Sequence, residues 1–224
     1  FSKKMGYRMF GELIEDVQHA KGGVASEIEP EDAPYEILSK LHGQYHGFID
    51  AVVKSNAGDN FDAAARCINK AAAVVCYGFL NSRILANYLS DSLIELGIQA
   101  IYECDYVQAK RRIHLLNPEW DAVVVISKSG EKAEPVGIAE YAQLLGISVI
   151  SVSDAAGNSL SRKSDIHIKI LEDGNRSTPA PAMGTFAGAL LALDALTMCV
   201  FQLDRKRYQK SYGESLVAAF SARR

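Results

Sequence analysis

The sequence predicts an α/β fold of three layers, in which helices cover both faces of a five-stranded parallel sheet. The first observation is that short apolar, β-branched segments alternate with longer segments whose apolar residues have helical spacing. The second is that the short segments are apolar at nearly every position, as expected of strands buried on both faces. This alternation of five strands with helices favours a flavodoxin-like strand order of 2-1-3-4-5 with right-handed crossovers.

Apolar spacing assigns the elements in order along the chain. The five strands are predicted over residues 72–77, 98–103, 121–126, 147–152 and 166–171. Helices are predicted over residues 36–55, 61–68, 84–96, 106–116, 135–145, 183–203 and 205–222, with a brief helical turn over 159–164. Gly97 and Gly146 each follow a helical segment, where glycine commonly ends a helix. Pro135 suits a first helical turn, because its missing N–H donor is not needed there.

Composition limits the classes of protein to which the chain can belong. With 224 residues, of which 48% are hydrophobic and 23% charged, the chain can form one substantial core. A net charge of −3 gives no general attraction to nucleic acid or membranes. The four cysteines lack CxxC spacing, which favours reduced thiols in a cytoplasmic protein. Asp194 interrupts the apolar stretch 179–203, so a buried helix rather than a membrane span is expected there.

The turn after the third predicted strand has the composition of an anion site. Ser127 and Ser129 supply hydroxyl donors, and Gly130 permits close approach to the backbone. Lys132 adds a positive charge, and the following helix directs unpaired N–H groups and its dipole at the same place. A phosphate is the natural ligand, although an ordinary strand-to-helix loop with a capping serine fits this stretch alone equally well.

Another hydroxyl-bearing turn, residues 78–82, comes earlier in the chain, directly after the first predicted strand. In a 2-1-3-4-5 sheet the switch point lies between strands one and three, and ligands bind at the carboxyl ends of those strands. The two turns are therefore expected to meet in one crevice. This agreement favours the phosphate site over the ordinary loop.

The two turns together resemble the phosphosugar-binding turns of the sugar isomerase (SIS) domain, which run roughly G-x-G-x-S and S-x-S-G-x-T-x-E. The resemblance covers about residues 36–204 and implies that Ser82, Ser127 and Ser129 are the phosphate-binding hydroxyls. The full set of ligand-binding residues that it implies is Gly78, Asn81, Ser82, Ser127, Lys128, Ser129, Gly130, Lys132 and Glu134. Leu80 stands where the family has a second glycine, and Lys132 stands where it has threonine.

The first residues of the chain resemble another part of the same kind of protein. Residues 1–13 read FSKKMGYRMFGEL, similar to the F-x-K-K-L-G-Y-x-x-F-x-E-L run that closes the helix-turn-helix domain of the RpiR family of bacterial regulators. This resemblance divides the chain into a helix-turn-helix remnant (1–18), a linker (19–35) and a SIS domain (36–224). Because the chain begins with Phe1 rather than Met, we expect it to be part of a longer protein.

The resemblance implies a cytoplasmic transcription regulator that senses a sugar phosphate and controls genes of carbohydrate metabolism. It is expected to bind DNA through the full-length helix-turn-helix domain, to form a homodimer or higher homo-oligomer, and to be neither an enzyme nor a metal or cofactor protein. The small residues Gly188 and Ala192 place the expected dimer contact on the helix over 183–203. The alternatives are a phosphosugar isomerase or lyase on the same fold, and a SIS module that only scaffolds an assembly.

Overall fold

The computed structural model describes residues 28–56, 58–154, 157–170 and 184–221, which form a five-stranded parallel sheet and seven α-helices. The strands are β1 (Val74–Gly78), β2 (Ala100–Glu103), β3 (Ala122–Ile126), β4 (Ser148–Ser153) and β5 (Ile166–Lys169). The helices are α1 (Pro34–Ser55), α2 (Asn60–Lys70), α3 (Ser82–Glu95), α4 (Tyr106–Ile113), α5 (Ala133–Leu144), α6 (Gly184–Leu203) and α7 (Arg205–Ser221). The strand order is β2-β1-β3-β4-β5, so the predicted fold class and topology are confirmed.

The sheet is buried because helices cover both of its faces. Every residue of β1 and β3 is buried, as their β-branched sequences predicted. Val74 and Cys76 face a core that α2, α3 and α6 complete, whereas Val75 and Tyr77 face a smaller core under α4 and α5. Burial raises the pKa of the Cys76 thiol to about 12, so this cysteine is a packing residue rather than a nucleophile.

Glycines end α3 and α5 as the sequence predicts. Gly97 has φ +79° and Gly146 has φ +73°, a left-handed conformation that side chains other than glycine adopt at a cost. The amides that follow return to the last turn of each helix, from Ile98 to the Leu93 carbonyl and from Ile147 to the Ala142 carbonyl. Each of these glycines therefore reverses the chain direction between a helix and the strand that follows it.

Helix α6 is the most apolar helix among the described residues, and Phe186–Leu203 is long and apolar enough to cross a membrane by length and composition alone. One face of it packs in the core against α1, α2 and α3, and 33% of the stretch is buried. A Cβ on Gly188 would lie 3.1 Å from Val52 Cγ2 and 3.2 Å from the Phe48 carbonyl of α1. Ala192 is fully buried. The location predicted for the dimer contact is thus wrong for these two residues, because helices of the same chain cover them.

The predicted helix-turn-helix remnant (1–18) lies outside the described residues, as does the linker up to residue 27. The end of the linker is described: Lys40 of α1 forms an ion pair with Asp32 at 2.7 Å. The domain division therefore stays a prediction.

Candidate functional site

The structure brings the two serine-bearing turns together at the carboxyl edge of the sheet. Gly78, at the end of β1, pairs with Ile126, at the end of β3. The first turn (residues 78–82) and the second turn (residues 127–132) therefore leave the sheet from neighbouring strands, whose backbones lie about 5 Å apart. Because α3 packs on one face of the sheet and α5 on the other, the chain diverges here and leaves a crevice between the turns.

Glycine is required at the start of the first turn. A Cβ on Gly78 would lie 2.3 Å from the Ser82 carbonyl oxygen and 2.9 Å from the Ala86 Cβ. Only the absence of a side chain lets the beginning of α3 pack this closely on the end of β1. Gly78 therefore acts on the candidate site by setting the position of Ser82.

The first turn contains a residue in a conformation that disfavours side chains. Leu80 has φ +53° and is the only described non-glycine residue with a positive φ. Its side chain is 60% exposed, so little packing compensates for the left-handed backbone. The SIS motif has its second glycine at this position, and glycine adopts a positive φ without strain. Leu80 adopts the same backbone conformation at an energetic cost.

The first turn of α3 has few backbone donors left for a ligand. The amides of Ser82, Arg83 and Ile84 bond back to the carbonyls of residues 79, 80 and 81 at 3.1–3.3 Å. The half-buried Ser82 hydroxyl has no hydrogen-bond partner among the described residues. This side of the crevice therefore offers a side-chain donor rather than a cradle of N–H groups.

The second turn has the opposite character, because carbonyls within it are engaged by the loop after β4 and several of its amides are open. The Lys128 carbonyl accepts from the Asp154 amide, and the Gly130 carbonyl accepts from the Leu160 amide, both at 2.8 Å. The amides of Ser129, Gly130 and Ala133 have no acceptor within the described part of the chain. Three donors at the beginning of α5, where the helix dipole is positive, form an arrangement that binds anions.

Serine hydroxyls complete the second turn. Ser127 is 4% exposed, and its hydroxyl has no hydrogen-bond partner among the described residues. Ser127 directly follows β3, and its hydroxyl is a donor available to a ligand in the crevice. The Ser129 Oγ accepts a 3.3 Å hydrogen bond from the Glu131 amide and keeps its own proton free to donate.

A third loop, between β4 and β5, fixes the shape of the second turn. Gly130 has φ +64°, and a Cβ there would lie 2.2 Å from the Asn158 side chain. The Glu131 carboxylate accepts hydrogen bonds from the Ser159 amide at 3.1 Å and the Ser159 hydroxyl at 2.6 Å. These contacts tie the second turn to the loop after β4, and such ties lower the entropic cost of ordering a turn on binding.

Comparison with known proteins agrees with this geometry. Residues 105–212 match the family profile of the SIS domain, a stretch that includes the second turn and begins after the first. The Vibrio vulnificus NanR protein complexed with ManNAc-6P has a similar structure, with a TM-score of 0.75 at 20% identity over 99% of this chain and 79% of that chain. This chain has the SIS-domain fold.

Two further structures share the SIS fold. One is the sugar isomerase domain of an RpiR transcription factor from Sphaerobacter thermophilus, with a TM-score of 0.71 at 16% identity over 80% of this chain and 98% of that chain. The other is an E. coli CFT073 protein in complex with a sugar phosphate, with a TM-score of 0.63 at 19% identity over 82% and 99% of the two chains. At these identities the similarity establishes the SIS fold alone.

Three exposed cations lie in or next to the two turns. Lys128 lies in the second turn, Lys132 immediately precedes α5, and Arg83 is the second residue of α3. All three are exposed, and none forms an ion pair with a described residue. The predicted residue Lys132 therefore extends into solvent, and no described carboxylate holds it away from the crevice.

One tyrosine with a raised pKa lies at the end of β1, next to the first turn. Tyr77 is fully buried at the end of β1, and its hydroxyl has no partner among the described residues. Burial raises the Tyr77 pKa, and the negative charge of Glu134 in the first turn of α5 raises it further. Glu134, a predicted site residue, is half-buried.

The predicted residues occupy this one region, since Gly78, Asn81 and Ser82 belong to the first turn and the others lie in or next to the second. Sequence reasoning missed Arg83, Asn158 and the pair Glu131–Ser159. Asn158 and Ser159 follow β4, whose carboxyl end lies at the same edge of the sheet, and that position was an available signal. The 28-residue separation between Glu131 and Ser159 gave no local pattern from which their contact could be predicted.

Proposed function

We propose that this chain is the effector-binding part of an RpiR-type transcription regulator that senses a phosphorylated sugar. The observation that supports this best is the second turn, which presents open amides and serine hydroxyls at the positive end of α5. Two of the structures with the same fold hold sugar phosphates, and in the NanR protein this ligand is ManNAc-6P. A sugar phosphate in the crevice would satisfy donors that have no acceptor among the described residues.

In this proposal the phosphate lies against the second turn and the sugar extends toward the first. The amides of Ser129, Gly130 and Ala133 donate to phosphate oxygens, together with the Ser127 and Ser129 hydroxyls. Lys128 and Lys132 contribute charge. The Ser82 hydroxyl reaches the ligand from α3, with Asn81 beside it, and the Glu134 carboxylate accepts from a sugar hydroxyl.

The regulatory step is a population shift. A ligand that bridges α3 and α5 favours the arrangement of domains in which both turns are correctly placed, and it stabilises that arrangement by its difference in affinity for the two states. The helix-turn-helix domain of the full-length protein would carry DNA binding, and a homodimer would match two half-sites. The protein would be a cytoplasmic sensor.

A binding series on serine variants tests the site. A hydrogen bond to a charged group contributes about 1.5–3 kcal/mol, so Ser129→Ala and Ser82→Ala should each weaken a sugar phosphate roughly tenfold to a hundredfold. Ser92→Ala is the matched control, because Ser92 lies on α3 away from the turn and its hydroxyl donates to the Tyr88 carbonyl. Isothermal titration calorimetry measures the three affinities, and a control variant as weak as the other two would contradict the assignment.

An isomerase on the same fold is the alternative. It would require an acid and a base beside the sugar carbons, and Glu134 is the one predicted site residue that could serve as either. One-dimensional NMR of the tightest-binding sugar phosphate, incubated with the protein in D2O, distinguishes the two. A sensor leaves the sugar unchanged, whereas aldose–ketose conversion or exchange of the C2 proton would identify an enzyme.

A further inference from the structure

Two histidines of α1 lie with their rings directed at each other. His42 and His46 are separated by about one helical turn, so they lie on the same face of α1. Their Nε2 atoms are 3.1 Å apart, and their ring centroids are 4.4 Å apart. Both side chains are exposed. Neither belongs to the two turns of the crevice, so this histidine pair is a separate feature of the surface.

The other described histidines contact groups of a different kind. His114 lies 3.2 Å from the Tyr141 hydroxyl, and His167 is hydrogen-bonded to groups of β4 and of the loop after it. Within the described part of the chain, His42 and His46 are hydrogen-bonded only to each other. Two imidazoles whose Nε2 atoms meet form a hydrogen bond when one Nε2 carries a proton, and they can chelate a metal ion when neither does.

The separation of the two Nε2 atoms fits such a chelate. An imidazole nitrogen lies about 2.0–2.1 Å from Zn²⁺, so two nitrogens bound to one tetrahedral ion are about 3.3 Å apart. The observed 3.1 Å is close to this value, and chelation requires only a rotation of the two exposed rings. Asp50, one further turn along α1 from His46, adds negative charge that favours a cation.

One chain supplies only part of a zinc site. A structural zinc ion has four protein ligands, and a catalytic zinc ion has three. The described residues contain no group of three or more His, Cys, Asp or Glu side chains that could hold a metal ion. His42 and His46 therefore need ligands from outside the described part of this chain to complete the coordination.

The face of α1 that carries the histidine pair is suited to a second copy of the chain. Only Ala51 and Val52 of this helix are buried, on the side that packs against α6. Leu38 lies one turn before the pair and Val53 two turns after it, and they are 64% and 65% exposed. In a contact with twofold symmetry the same face of both copies meets itself, so each copy contributes the same two histidines. Four imidazoles then make the complete ligand set of a tetrahedral ion.

We propose that His42 and His46 of two copies of this chain together bind one divalent transition-metal ion between their α1 helices. Imidazole nitrogen is a preferred ligand of Zn²⁺ and similar ions. The exposed side chains of Leu38 and Val53 lose contact with water at the same interface, which adds to its stability. The metal ion links two copies through α1, at a place separate from the sugar-phosphate crevice.

Titration of the tag-free protein with Zn²⁺ tests the proposal. Isothermal titration calorimetry should give one Zn²⁺ per two chains. Sedimentation velocity should show that Zn²⁺ at least doubles the mass of the sedimenting species and that EDTA reverses the change. His42→Gln and His46→Gln should each weaken Zn²⁺ binding about tenfold or more and abolish the mass change, because loss even of groups that orient a ligand has an effect of this size.

His114→Gln is the matched control. It removes an exposed imidazole from the end of α4, which covers the opposite face of the sheet from α1. This variant should keep the stoichiometry and the mass change. One Zn²⁺ per chain, a mass that Zn²⁺ leaves unchanged, or full Zn²⁺ binding by His42→Gln would overturn the inference. Sugar-phosphate affinity should be the same in all three variants, so the outcome is independent of the proposed function.

Discussion

Replacement of Leu80 tests whether the first turn stores backbone strain. Leu80 has φ +53° and its side chain is 60% exposed. A left-handed conformation costs a residue with a Cβ about 1–2 kcal/mol, and glycine escapes this cost but loses about 0.5–1 kcal/mol of conformational entropy relative to alanine. Leu80→Gly should therefore be more stable than Leu80→Ala by about 1 kcal/mol.

The comparison with alanine isolates the backbone. Both variants lose the same partly buried leucine side chain, so the difference between their free energies of unfolding reports the strain at φ +53°. Urea unfolding followed by circular dichroism measures it, with similar m-values required for a valid comparison. A difference of about 1 kcal/mol corresponds to about 2–4 °C in Tm for a chain of this size. If Leu80→Ala equals or exceeds Leu80→Gly in stability, the left-handed backbone at this position is not strained.

Three further substitutions test the surroundings of the crevice by urea unfolding. Gly78→Ala should lower the free energy of unfolding by about 1–3 kcal/mol, because its Cβ would lie 2.3 Å from a backbone oxygen. The control Gly43→Ala, whose Cβ would meet nothing within 4 Å, should instead stabilise α1. Equal effects of the two substitutions would contradict the close packing at Gly78. Tyr77→Phe should stabilise by about 1 kcal/mol by removing a buried hydroxyl without a partner, and a loss of stability would reveal a buried water there. Burial lowers the pKa of His167, so its protonation favours the unfolded state, and the free energy of unfolding should fall as the pH drops below about 6.5. His167→Gln should make this decrease shallower. An unchanged pH profile in the variant would exclude His167 as the source of the decrease.

Much of the fold follows from local sequence because its strands and helix ends are determined locally. Uninterrupted apolar runs identified β1 and β3, since a strand covered by helices on both faces has no place for polar residues. Gly97 and Gly146 marked helix ends because their positive φ angles favour glycine. The predicted strand order was then enough to place the two serine-bearing turns side by side.

The contacts that could not be predicted from the sequence are those between residues far apart in the chain. Small residues such as Gly188 indicate close approach of another backbone but do not identify it, and here it belongs to α1 rather than to a second protomer. The direction of the amides in the second turn depends on which carbonyls pair with the loop after β4. The departure at Leu80 was visible in the sequence, whereas its left-handed backbone was not.

The most direct test of the account is the affinity of the protein for one sugar with and without its phosphate. The second turn contains open amides, two serine hydroxyls and two lysines, all of which contact the phosphate in the proposed binding mode. Because each charge-assisted hydrogen bond contributes about 1.5 kcal/mol or more, removal of the phosphate should raise the Kd roughly a hundredfold or more. Isothermal titration calorimetry measures both Kd values. Equal affinity for the phosphorylated and dephosphorylated sugar would contradict the assignment of these two turns as a phosphate-binding site.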